Sequence, residues 1–333
     1  MKQYIKRKIR SAARKIAGLN KMQEEIDSLY FYLNQYADIR KFPPAEGPLR
    51  KVQEGDVLLL AIMDSICKRN HLQYWLDSGT LLGAVRHGGF IPWDDDVDVC
   101  MPREDYNRAV TVFQKEFAKY GIAAQEQEGR PMARIGIGYK HEFTGIWIDV
   151  FPVDGHRYEI KDRAVLESLK KKISYYRKKY MKNKNRYSWE QLTEWKKELI
   201  PDMCKVSEAE SVFYTPEFVS SFLGWNCSDI FPLKELMFEG FSLPVPCNTD
   251  AYLKGLYGDH YMGFPRDGFA HHGNSGGVLS AWAGNSGTDM RVILNELRSV
   301  LQDVSASKTP LQATGYQTCS VAEQKASKGH FGI

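Results

Sequence analysis

The stretch LDSGTLLGAVRHGGFIPWDDDVDVCMPREDY, from Leu76 to Tyr106, decides how the rest of the chain is read. It opens on small residues at Ser78, Gly79 and Thr80, continues through apolar Leu81, Leu82, Ala84 and Val85, and ends on acids interleaved with valines. That order predicts a glycine-punctuated turn and helix from Ser78 to Gly89, then a strand ending over Val97–Met101. Successive side chains of a strand point to opposite faces, so Asp94, Asp96 and Asp98 would share one face, Asp95 would leave it, and Val97 and Val99 would face the core. Carboxylates so close together are unfavourable unless a cation neutralises them, and oxygen-only ligands suit Mg²⁺ or Mn²⁺. The plain alternative, an exposed acidic turn, is common for two acids. It is a poor account of the four acids Asp94, Asp95, Asp96 and Asp98 set between Trp93 and an apolar strand end.

Working outward, Leu49 to Asn70 has helical periodicity, with Val52, Leu59, Ile62, Met63 and Ile66 as the expected buried face. Leu72–Leu76 reads as a short strand, Pro102–Tyr120 as a helix, and Ala133–Lys140 and Gly145–Phe151 as strands joined by a polar turn at His141 and Glu142. This order implies an α/β or α+β domain, a mixed sheet flanked by helices. In GIWIDVFPVDG, Asp149 leaves an otherwise apolar strand on one face, and such an acid needs a partner. If its strand neighbours Val97–Met101, Asp149 can complete a metal site with Asp96 and Asp98. Asp154, just beyond, reads as a turn residue, with a base role as the alternative.

The ends differ from this centre. From Met1 to Lys21 there are eight Lys or Arg and no acid, while Ile5, Ile9, Ala13, Ile16 and Leu19 recur at helical spacing. One reading is an interfacial helix on anionic lipid. The other is a solvated or self-associating helix, since Met22, Ile26, Leu29 and Leu33 extend the apolar pattern as in a short coiled coil. Residues 1–45 are therefore expected as a basic helical leader closed by Phe42, Pro43, Pro44 and Gly47, 46–268 as the catalytic domain, and 269–333 as a poorly ordered extension with a helix over Met290–Val304. The basic stretch Lys161–Lys197 reads as a solvated helix face.

A net charge of +4 on 45 basic and 41 acidic side chains is too mild for a nucleic-acid partner. Cys67, Cys100, Cys204, Cys227, Cys247 and Cys319 contain no CxxC pair, so reduced thiols are expected, in a cytoplasmic protein that touches the inner face of the membrane at most peripherally. No apolar run reaches the roughly 20 residues needed to cross a bilayer. His271 and His272 form no metal-binding spacing.

The Ser78-Gly79-Thr80 turn can cradle a phosphate with free backbone N–H groups at a helix N-terminus, although small hydroxyl residues there also serve simply as caps. The turn follows one strand and precedes the acidic strand by about fifteen residues, which resembles the nucleotidyltransferase arrangement. The run GTLLGAVRHGGFIPWDDDVDVCMPREDY, with the later DVFPVDG and YLKGLYGDHYMGFP, resembles the LicD family signature over roughly Leu49–Pro265. The resemblance implies a nucleotidyltransferase-like fold and transfer of phosphocholine or a phospho-alditol from a CDP-activated donor to a cell-surface glycan. It puts Gly79 and Thr80 at the donor-phosphate turn, Asp94, Asp96 and Asp98 at the metal, and Arg86 and His87 beside them.

Arg86 then fits a phosphate clamp or an ion pair with the aspartates, and His87 a base, a hydrogen-bond partner of the site or a structural residue. Tyr257, Gly258 and Asp259 shape the acceptor side or form a turn. Two rivals stand beside this reading. A glycosyltransferase using a nucleotide-sugar also holds a metal on Asp-x-Asp, but usually places a nucleotide-binding βαβ half ahead of it. A catalytically silent scaffold of the same fold would have had no need to keep all the carboxylates.

Overall fold

The computed structural model describes residues 2–127, 133–139, 145–156, 163–183, 211–217, 224–265 and 289–306, with scattered positions between 186 and 198; of residues 2–17 it describes the backbone alone. Its elements are α1 (Lys2–Tyr36), α2 (Gly47–Arg69), β1 (Trp75–Leu76), α3 (Ser78–His87), β2 (Val97–Pro102), α4 (Arg103–Ala118), β3 (Ile122–Glu126), β4 (Ile135–Tyr139) and β5 (Trp147–His156). There follow α5 (Arg163–Asn183), β6 (Phe213–Pro216), β7 (Trp225–Asn226), α6 (Cys227–Ile230), β8 (Lys234–Phe238), β9 (Phe241–Val245), α7 (Thr249–Tyr257) and α8 (Met290–Ala306).

The fold is the expected mixed sheet flanked by helices. Strand order is β1-β2-β5-β4-β3, with β6 paired to β5 and β7 to β6. Only β2 and β5 run parallel among the described strands, in the register Val97↔Ile148, Asp98↔Asp149, Val99↔Val150. Both are almost wholly buried, and Asp98 is the one residue of β2 that keeps some exposure. Such near-continuous apolar strands belong at the centre of a sheet covered on both faces, and α2 and α4 both pack against β5. The expected buried face of α2 is borne out, because Val52, Leu59, Ile62, Met63 and Ile66 are all sealed from solvent.

Three features depart from the expectations. Strand β3, IAAQE, has little intrinsic strand preference and forms by pairing with β4 at the sheet edge. The helix expected over Met290–Val304 forms as α8, but it packs on α2 and buries Met290, Ile293, Leu294, Leu297 and Val304 in the core. Finally, Cys67, Cys100 and Cys247 are free thiols as expected, but Cys227 is disulfide-bonded. His271 and His272 lie outside the described residues, as do 128–132, 140–144 and 307–333. No helix among the described residues is long and apolar enough to cross a membrane.

The β8–β9 hairpin turns on Glu239 and Gly240, both at positive φ, 49° and 88°, as a tight two-residue connection requires. Glu239 also ties the hairpin to the loop that leads into the acidic run. Its carboxylate accepts from Arg50 Nη1 and Nη2 at 3.0 and 2.7 Å and from the Phe90 amide at 3.1 Å, while its own amide donates to Gly88 O at 3.0 Å. Burial works to raise this carboxyl, but Arg50 and Phe90 N together hold it below its usual 4.5. A carboxyl depressed on folding stabilises the fold above its unfolded pKa and loses that contribution as pH falls through the folded one. Glu239→Gln is therefore expected to cost ~1–3 kcal/mol at neutral pH. Denaturant midpoints should show the gap to wild type closing as pH drops below 4.5; a gap that stays constant with pH would mean that the charge of Glu239 is not what matters.

Candidate functional site

The site forms where the N-terminus of α3 meets the start of β2. Two hydrogen bonds join them: the Asp98 amide donates to Thr80 Oγ1 at 2.9 Å and the Asp77 amide to Asp98 O at 3.0 Å. Gly79 rests against Asp94 so closely that a Cβ there would stand 2.6 Å from Asp94 Oδ2. A side chain at position 79 would thus have to displace the Asp94 carboxylate, and the turn and the acids pack as one unit. Ser78 at φ 47° has the left-handed backbone that starts the turn, and its hydroxyl donates to Asp77 Oδ2 at 3.0 Å. Asp77 precedes the first turn of α3 yet does not cap it, because its other oxygen accepts from Tyr252 Oη at 2.7 Å.

The expected alternation holds only from Val97 onward. At 94–96 the chain is still leaving a turn, marked by the Asp94 amide donating to Ile91 O at 2.9 Å, so no pleat separates successive side chains. Asp95 therefore joins Asp94 and Asp96, each of the three offering a carboxylate oxygen within 4.8 Å of the others. Asp98 lies one step further along β2 with Asp149 beside it on β5. Burial, and then the charges of Asp96, Asp149, Asp77 and Asp94, push the Asp98 carboxyl well above the usual carboxylate range. Hard oxygen donors, close together and destabilised by their own repulsion, fit a small divalent cation. Asp94, Asp95 and Asp96 are the group whose oxygens come close enough to hold one, and Asp98 and Asp149 stand beside it through the β2–β5 register.

Asp149 is also bound from the protein side. Its Oδ2 accepts from Arg134 Nη1 at 2.5 Å and its Oδ1 from Trp147 Nε1 at 2.6 Å. Arg134 is itself held by Gln127 and lies over the Phe151 ring, 5.9 Å from its centroid. Asp154 is a buried strand residue paired with Arg103 at 2.8 Å, and Glu217 accepts from the same guanidinium, so the turn expected at Asp154 is replaced by strand that continues to His156.

Arg86 is buried and turns toward the C-terminal side of the domain, donating from Nη1 to Tyr261 O at 3.3 Å and Gly263 O at 3.2 Å. Burial brings its pKa down to about 10, against the pull of Tyr257 and Asp94, so it stays charged at neutral pH. His87 Nε2 meets Ile39 O at 3.2 Å; a carbonyl only accepts, so this nitrogen carries the proton. Burial and Arg86 lower the imidazole's pKa, which favours the neutral ring. The late YLKGLYGDHY block reaches the site as well: Tyr252 bonds Asp77, and the Tyr257 phenol is pushed up by burial and by Asp77, Asp98 and Asp94.

Sequence reasoning missed Asp56, Arg134, Trp147 and Tyr252. Asp56 had a signal, because it falls in the apolar stripe of α2 between Val52 and Leu59, where an acid is out of place. Its Oδ1 accepts from the Trp147 amide at 2.8 Å, its buried Oδ2 has no partner among the described residues, and burial and then Asp96, Asp95 and Asp94 raise its pKa. The other three had none, since nothing local distinguishes an Arg or a Tyr that will fold against an acid far along the chain.

Residues 71–217 match the family LicD/FKTN/FKRP, nucleotidyltransferase domain. The lipopolysaccharide cholinephosphotransferase LicD of Haemophilus influenzae is 44% identical over 79 residues, 22% of this chain and 30% of that protein. The ribitol 5-phosphate transferase FKRP of Homo sapiens is 59% identical over 57 residues, 17% of this chain and 11% of that protein. An uncharacterized protein of Rickettsia prowazekii is 60% identical over 37 residues, 11% of this chain and 14% of its own. The matched stretches thus span less than a third of each relative's length.

Proposed function

We propose that this chain, which carries a LicD/FKTN/FKRP nucleotidyltransferase domain over residues 71–217, is a divalent-metal-dependent transferase. It would move phosphocholine or a phospho-alditol from a CDP-activated donor to a hydroxyl of a cell-surface glycan of lipopolysaccharide or teichoic-acid type. The observation that carries the reading is the junction of phosphate turn and acids through Thr80 Oγ1 and the Asp98 amide. A diphosphate resting on the α3 N-terminus would meet free backbone N–H groups and the positive end of the helix dipole. Thr80 Oγ1 accepts from the Asp98 amide, which leaves its own proton to donate to a phosphate oxygen.

Asp94, Asp96 and Asp98, with Asp95 gathered beside the first two, are the assigned ligands of Mg²⁺ or Mn²⁺, which when bound supplies the positive charge that neutralises the donor phosphates. In-line attack by the acceptor hydroxyl, with CMP leaving, depends mostly on positioning and charge. Asp149 is assigned to orient that hydroxyl and take its proton, in an orientation set by Arg134 and Trp147. Arg86 is assigned as a positioning residue, since its donated bonds go to the 261–263 carbonyls. Residues 1–21, with eight bases and no acid, would bring the enzyme to the anionic inner surface of the membrane.

The test is to incubate the full chain with Mg²⁺, a glycan acceptor and a panel of CDP-choline, CDP-alditols and sugar nucleotides. Acceptor-dependent CMP release from a CDP donor is expected. Nucleoside diphosphate release from a sugar nucleotide would instead assign glycosyl transfer, and no release with any donor would favour the scaffold.

A further inference from the structure

Helix α1 runs from Lys2 to Tyr36, a length of about 50 Å at 1.5 Å per residue. Among its described side chains, Asn34 accepts the Phe264 amide at 3.0 Å, and Asp27 and Tyr30 are half-buried. The side that leans on the domain is therefore largely polar. The apolar side faces outward: Leu19, Met22, Ile26, Leu29, Leu33 and Tyr36 are each between 45% and 81% exposed. A surface helix normally does the reverse, and a helix of this length gains most of its stability in water from burying its apolar face.

We infer that the Leu19–Tyr36 stripe is covered by the same stripe of a second copy of this chain, forming a short two-stranded coiled coil. Three observations select this occupant. The spacing runs three, four, three, four, three, a strict seven-residue repeat, and the first position of the repeat stays apolar or small back through Ala12 to Ile5. A 3.5-residue period keeps a narrow seam facing one partner helix, whereas a face lying on lipid follows the 3.6-residue helix and is broader. The segment also bears three acids, Glu24, Glu25 and Asp27, against the single base Lys21, so an anionic surface would repel it. Lastly, the alternate seam positions of the two preceding heptads are Lys8 and Lys15, which stops the apolar seam at Leu19 and leaves the basic end out of the pair.

Sedimentation equilibrium of the full chain without lipid is expected to give a dimer at protein concentrations on the order of 10 µM. Ile26→Glu/Leu33→Glu, which puts charge into the seam, is expected to give a monomer whose turnover matches wild type. Phe31→Glu, exposed but off the seam, controls for damage to the helix itself and is expected to remain a dimer. A monomeric wild type would overturn the inference, whether the stripe were then found in lipid, by binding to neutral vesicles, or under another part of the chain. So would a dimer that survives the double substitution, or one that Phe31→Glu breaks equally well.

Discussion

Asp98→Asn is expected to lower turnover by roughly 10³-fold or more in a protein that still folds, and Asp96→Asn to do the same. The size follows from losing several kcal/mol of charge stabilisation at a tenfold rate change for each ~1.4 kcal/mol. Folding should survive because what anchors Asp98 is its backbone, through Thr80 Oγ1, the Asp77 amide and the parallel ladder to β5. Asparagine keeps all of that. Its neutral side chain also removes one member of a crowd in which burial and then Asp96, Asp149, Asp77 and Asp94 already oppose ionisation of Asp98. With EDTA present the Asp98→Asn variant should therefore melt at or above wild type, and with Mg²⁺ the order should reverse as only wild type gains from the cation. Wild-type turnover in either variant would remove these carboxylates from the reaction, and identical melting responses to Mg²⁺ would remove the metal.

Asp149→Asn has the second largest expected effect, and here stability and rate both move. Asn can still accept one hydrogen bond, but it leaves the Arg134 guanidinium with Gln127 as its remaining side-chain partner among the bonds described above. Breaking a buried pair from one side costs about 3–5 kcal/mol, and this pair, with side chains 14% and 9% exposed, belongs near the lower end. Turnover of the folded fraction should fall by roughly 10²-fold or more with donor affinity little changed, since a hydroxyl is oriented and deprotonated only on the way to the transition state. Arg134→Gln added to Asp149→Asn separates the two effects, because it removes the stranded charge without restoring the carboxylate. Stability should return and turnover should not. Recovery of both would make Asp149 a structural partner of Arg134 and nothing more.

Much of the site was legible before folding. The Ser78–Thr80 turn, the carboxylates at Asp94, Asp96 and Asp98 and the lone acid Asp149 in an apolar strand each stand out against the period of their own segment. Periodicity is a local property, and a local reading can recover it. That is why α2, α3, β2 and β5 were expected nearly where they lie, while β3, with two alanines in five residues, was not.

Tertiary structure decided who meets whom. The parallel pairing of β2 with β5 sets Asp98 against Asp149, a turn ending at Asp94 gathers Asp95 with its neighbours, and Asp149 is held by an arginine 15 residues away. Asp56 reaches Trp147 across 91 residues, and Asp77 takes its hydrogen bond from Tyr252 across 175. No pattern within one segment encodes such pairings, because strand order and helix placement are chosen by burial of apolar area over the whole domain, and each buried acid then takes the donor that packing brings to it. The residue types proposed to do the chemistry were thus written in the sequence, while the partners that orient them came only with the packed fold.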